Sequence, residues 1–162
     1  GGNGSSCRVA CTDWVARIRG GVDQALQKFW RSIFAGCASV RFHRPDAGPG
    51  LSKLAQRHIR SARMLAERLS VESCRPYNDL LSDRVANEAY CMADPGRRYA
   101  VYFPHGGSVS LKLAQGRRWE ILWLDAGEGQ WGESEELVSH HVGTLAAPHN
   151  GHHIVVLVNA GS

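Results

Sequence analysis

From Asn87 onward the apolar residues recur at every second position, and no other feature constrains the fold as strongly. A period of two sends alternate side chains to opposite faces of a strand. Val109, Leu111 and Leu113 alternate with Ser108, Ser110 and Lys112. Tyr99, Val101 and Phe103 alternate with Ala100 and Tyr102, and Trp119, Ile121 and Trp123 share one face of the following strand. Asp94-Pro95-Gly96, Pro104-His105-Gly106-Gly107 and Gly127-Glu128-Gly129 interrupt these runs with turn chemistry. Ala89–Ala93 reads as a further strand, and weaker strands fall near 135–146. His153–Val158 is a continuous apolar, mostly β-branched run, as expected of a strand buried on both faces or central in a sandwich. Short strands closed by Gly and Pro turns predict an antiparallel β-sandwich over 87–162.

Upstream the beat is helical. Val22, Leu26, Phe29, Ile33 and Phe34 predict a helix over 22–34, started after Gly20-Gly21 and stopped by Gly36. Cys37–Phe42 reads as a short strand and His43–Gly50 as a loop broken by two prolines and two glycines. Leu51, Leu54, Ala55, His58, Ile59, Ala62, Leu65, Ala66 and Leu69 trace one stripe of a second helix over 51–69. Between Val71 and Arg84, Pro76, Asn78, Asp79 and Asp83 favour turns. The expected organisation is a flexible N-terminus over 1–20, a helical segment over 21–86 and the sandwich over 87–162. The fold class is α+β, with N-terminal helices packed beside the C-terminal antiparallel β-sandwich. The apolar stripe of 51–69 must cover something: the first helix, the 37–42 strand, the sandwich, or a second copy of the chain. The last alternative makes a homo-oligomer an expectation.

The chain has 162 residues, enough for a buried core, with 43% hydrophobic and 21% charged residues. Its net charge of +4 is mildly basic. Arg57, Arg60, Arg63 and Arg68 fall within the second helix and read as a solvated face, so no nucleic-acid partner is expected. No run approaches the roughly 20 apolar residues of a membrane span, and the opening GGNGSSC is not a secretory leader. Five cysteines, Cys7, Cys11, Cys37, Cys74 and Cys91, show no paired CxxC spacing, which leaves the redox compartment open.

Arg98-Tyr-Ala-Val-Tyr-Phe-Pro-His-Gly-Gly-Ser-Val-Ser-Leu111, then Trp119 with Leu122-Trp123-Leu124-Asp125, then the Ala147-Pro148 turn and the closing hydrophobic strand form a distributed pattern. It resembles the collagen-binding domain family, a small β-sandwich at the C-terminus of glycoside-hydrolase-like chains. The resemblance covers roughly Asn87 to Asn159. The segment Phe29-Trp30-Arg31 through Gly36–Pro45 is similar to the last strand of the (β/α)8 barrel of such chains with its preceding helix, and Leu51–Leu69 to the final barrel helix. The resemblance implies the tail of a longer enzyme-like protein, since a barrel of that kind needs about 250 residues. The barrel strands that would carry catalytic carboxylates are not in the sequence. The family is often extracellular.

Glycoside hydrolysis usually needs two carboxylates flanking the scissile bond. Asp79 with Asp83 or Glu88, and Glu133 with Glu135 or Glu136, read as turn and surface residues, so no catalytic residue is assigned. His140-His141, His149 and His152-His153 gather five imidazoles, which His105 could join in space. Adjacent strand residues point to opposite faces, so loop and strand-edge histidines are the default and no metal ligand or cofactor is assigned. Among the aromatics, Trp119 and Trp123 read as core and Trp131, between Gln130 and Gly132, as exposed. Trp131 and Tyr102 are candidate ligand-binding residues through stacking. Asp79, Arg84, Asn87 and Glu88 form a candidate polar patch at the helix–sandwich junction, with structural salt bridges as the alternative. The leading functional expectation is a non-catalytic accessory module with a carbohydrate ligand. A self-associating structural protein without a ligand is the second, and a hydrolase assembled at an oligomer interface the third.

Overall fold

A computed structural model describes residues 21–37, 52–139 and 141–161. The expected flexible 1–20, the 38–42 part of the expected strand and the 43–50 loop lie outside the described residues. Helix α1 spans Val22–Phe34 and α2 spans Lys53–Leu69. Among the described residues ten strands follow: β1 (Arg75–Pro76), β2 (Leu81–Ser82), β3 (Tyr90–Asp94), β4 (Arg98–Phe103), β5 (Ser108–Lys112), β6 (Arg118–Asp125), β7 (Gln130–Trp131), β8 (Glu135–Val138), β9 (Val142–Ala146) and β10 (His153–Asn159).

α2 begins where Ser52 accepts a hydrogen bond from the Ala55 amide, and it ends at Ser70 in the left-handed region. Every strand pairing is antiparallel, and the strands make two sheets. A seven-stranded sheet runs β1-β3-β4-β10-β6-β7, with β8 also on β6; a three-stranded sheet runs β2-β5-β9. β10 is central, with β4 on one side and β6 on the other. The fold is α+β as expected.

The large sheet is buried on both faces, which explains the uninterrupted apolar run in β10. Tyr99, Val101, Phe103, Trp119, Ile121, Val155 and Leu157 face Val109, Leu111 and Leu145 of the small sheet. Ala100, Tyr102, Leu124, Ile154 and Val156 face Phe29, Trp30, Phe34, Leu65 and Leu69 of the helices. Helices, large sheet and small sheet are therefore three layers with two cores, one on each side of a shared sheet. The stripe of α2 is covered by the chain's own sheet. β1 and β2 lie upstream of residue 87 yet join the two sheets, so the 71–84 stretch is more than turns. Among the described residues no helix is long and apolar enough to cross a membrane.

Candidate functional site

At one end of the large sheet, β6 runs into the 126–129 turn and β10 emerges from the 147–152 loop. Register sets Asp125 directly across from His153. Asp125 Oδ1 accepts hydrogen bonds from the Gly127 and Glu128 amides, both at 2.9 Å, which fixes the carboxylate. Its Oδ2 lies 3.7 Å from His149 Nε2. His149 Nδ1 is 3.1 Å from His153 Nε2 and 2.9 Å from the Asn150 carbonyl oxygen. His149 is exposed, whereas His153 is 2% exposed, and its Nδ1 finds no hydrogen-bond partner among the described residues. Burial, followed by the neighbouring His149, holds the His153 pKa below the ordinary imidazole value.

His152 turns the other way, as alternation requires. Its Nδ1 meets the Tyr102 hydroxyl at 2.7 Å and its Nε2 meets Asp23 Oδ1 of α1 at 2.8 Å. Its ring packs edge-on against His58 of α2, with centroids 5.2 Å apart. His58 Nδ1 accepts from Trp30 Nε1 at 2.9 Å, so the proton of the neutral ring sits on Nε2. Burial, then the charge of His152, lowers the His58 pKa from 6.5 to about 4.

Two clefts flank this histidine ridge. One, of about 380 Å³, is lined by Asp23, Leu26, His58, Asp125, His149 and His152 at the mouth of the helix–sheet interface. The other, of about 210 Å³, is lined by Trp123, Asp125, Gln130, Trp131, His149 and His153. Asp125, His149 and His153 border both.

The expected ligand-binding residues are dispersed relative to these clefts. Trp131 does line the smaller one, but half-buried, with the Arg68 guanidinium 5.8 Å from its ring centre. Trp119 is fully buried, and Trp123, half-buried, reaches the same cleft as Trp131. Tyr102 is fully buried among Trp30, Phe34 and Tyr90, and it offers its hydroxyl to His152 rather than its ring to a ligand. Asp79 is exposed on a short 3-10 turn whose neighbour Asn78 accepts from the Cys91 amide. Asn87 packs against Gly107.

Glu88 and Arg84 both reach Tyr90 at the helix–sandwich junction. Arg31 of α1 donates to Glu88 at 2.5 Å, and Tyr90 donates to the same oxygen at 2.5 Å. The Arg31 and Arg84 guanidiniums lie 5.6 and 5.5 Å from the Tyr90 ring centre. Arg84 Nε also donates to the Ala89 carbonyl at 2.7 Å. Burial pushes the Glu88 carboxyl up, but the Tyr90 hydrogen bond and the Arg31 charge outweigh it and hold the pKa below the usual range. The patch is knitted to itself. His105 turns towards it, 4.0 Å from Glu88 and 3.4 Å from Gln27, and does not join the other histidines.

Sequence reasoning missed Asp125, His58 and Asp23. The available signal was the position of Asp125 at the end of a strand, but its pairing with His153 is a matter of register that sequence spacing does not display.

This three-layer arrangement is a glycoside-hydrolase-like fold, by likeness to solved structures. A chain described as a glycoside hydrolase superposes with a TM-score of 0.65 and 13% identity over 86% of this chain and 37% of its own. A glycoside hydrolase family 5 protein from Bacteroides vulgatus ATCC 8482 gives 0.69 and 13% over 91% and 38%. The chain thus spans well under half the length of the solved chains it matches. No protein-family model and no curated protein matches the sequence.

Proposed function

We propose that the chain is a non-catalytic accessory module that binds carbohydrate in the smaller cleft. The observation that carries this reading is that Trp123 and Trp131, from opposite faces of the large sheet, both border a cleft that also presents Asp125, Gln130 and His149. Indole faces stack on the apolar C–H face of a sugar ring, while a few polar groups hydrogen-bond its hydroxyls. The resemblance to the collagen-binding domain family supports an accessory role. A short cleft of about 210 Å³ suits one sugar residue better than the side of a long triple-helical rod.

A glycan array probed with the full chain tests the reading. Selective binding is expected, weakened at least about tenfold by Trp131→Ala and by Trp123→Ala, as loss of a stacked ring implies. Gln130→Ala, on an exposed side chain, is expected to change the preferred sugar with little effect on stability. A blank array together with a clean dimer in light scattering would favour the self-associating structural protein instead.

A further inference from the structure

We infer that Asp125, His149 and His153 form a binding site for one zinc-class divalent cation on the ridge between the two clefts. One ligand atom from each residue lies within 4.8 Å of the other two. The inference does not depend on sugar binding.

The argument begins with hydrogen-bond roles. A carbonyl oxygen only accepts, so the 2.9 Å contact with the Asn150 carbonyl places the His149 proton on Nδ1. Nε2 of His149 then presents a lone pair towards Asp125 Oδ2, 3.7 Å away, and a carboxylate also presents lone pairs. His153 Nε2, 3.1 Å from His149 Nδ1, is an acceptor too. As the rings stand, the His153 lone pair accepts from the His149 Nδ1–H; a turn of the exposed His149 ring frees it, and three lone pairs then border one small space that a cation would fill.

Zinc fits the donor set. Two nitrogens bound to one zinc at roughly 2.0–2.1 Å and a tetrahedral angle stand about 3.3 Å apart, and the donor atoms of the three residues, all within 4.8 Å of one another, need only a small side-chain adjustment to reach that spacing. Two imidazoles and a carboxylate suit zinc better than calcium or magnesium, which prefer oxygen throughout. Supporting contacts are present: the Gly127 and Glu128 amides hold Asp125 Oδ1 and leave Oδ2 for the metal. Close packing of the 104–107 loop holds the His149 backbone. Gly106 adopts φ +77, and a Cβ there would sit 2.7 Å from the His149 carbonyl oxygen. His149 is on the exposed side of the loop, so its ring can rotate into the coordination shell. Three protein ligands leave a fourth position open to the clefts.

Calorimetric titration of the full folded chain, exposed thiols blocked with iodoacetamide, uses zinc chloride alone. One ion per chain is expected with Kd at or below about 10 μM. His149→Ala and Asp125→Asn are each expected to weaken binding about 10- to 100-fold, while His105→Ala leaves it unchanged. Wild-type binding weaker than about 1 mM, or equal affinity in His149→Ala, overturns the inference. If a variant fails to fold, proton NMR of the wild-type chain decides. Zinc should shift the ring resonances of His149 and His153 and leave those of His105, and unmoved His149 and His153 signals overturn the inference equally.

Discussion

His58 is held neutral by its surroundings, and that makes it a source of acid sensitivity. In the unfolded chain its imidazole takes a proton near pH 6.5; in the fold it does so only near 4. Between those values the unfolded state binds more protons, so stability falls as pH falls through that window. The full contribution, on the order of 3 kcal/mol, is present above pH 6.5 and gone near 4. His153 is depressed in the same direction and adds to the slope. Urea midpoints measured across this window should fall less steeply in His58→Gln, whose side chain keeps an acceptor for Trp30 Nε1 but does not titrate; equal slopes would refute the assignment. Gly106 is the other residue with a sharp expectation. Its positive φ and its approach to the His149 carbonyl leave no space for a methyl group, so Gly106→Ala should cost on the order of 1–3 kcal/mol by thermal unfolding. A neutral result would mean that the 104–107 loop is free to move away from His149.

At the level of elements, β10 contributes most because it is buried on both faces. Leu157 faces the small sheet and Val156 faces the helices, both fully buried. Leu157→Ala should therefore lose about 2–5 kcal/mol, whereas Val138→Ala, on an exposed position of β8, should change stability by less than about 0.5 kcal/mol. Chemical denaturation of the two variants checks the contrast. These same elements show what could be read in advance. Helix α1 is legible over 22–34 because its apolar spacing is long and uninterrupted, and β10 because a run of Ile and Val cannot alternate with polar residues when both faces are covered. β1 and β2 are not legible: two residues carry no period, and Arg75-Pro76 pairs with β3 because the sheet edge is there, not because the dipeptide favours it. The candidate site is legible only in part. Trp131 and the histidine-rich 149–153 stretch stand out as residue types. Asp125 becomes their neighbour only through the β6–β10 register, and Tyr102 looks like a free aromatic until the helices cover it.

For the whole molecule, the decisive point is that one sheet belongs to two cores. Leu65 and Leu69 of α2 pack on the face carrying Tyr102, Leu124 and Val156, while Trp119 and Leu111 lie in the core on the opposite face. Polar ties reinforce the layer: Ser61 Oγ donates to the Ala126 carbonyl at 2.9 Å, and an Arg98 nitrogen reaches the Leu69 carbonyl at 3.3 Å. Loosening the helices would expose the sheet's apolar face to water, and a sheet weakened on one side cannot hold its register for the other. The solved chains of similar fold superpose over 86% and 91% of the chain, more than the sandwich alone spans. Helices and sandwich should therefore unfold in one cooperative step. Leu65→Ala should lower the urea midpoint by the equivalent of about 2–5 kcal/mol, and do so equally by far-ultraviolet circular dichroism and by the near-ultraviolet signal of the buried tryptophans. Two separated transitions, with helix signal lost first, would show that the small-sheet core keeps the large sheet folded unaided.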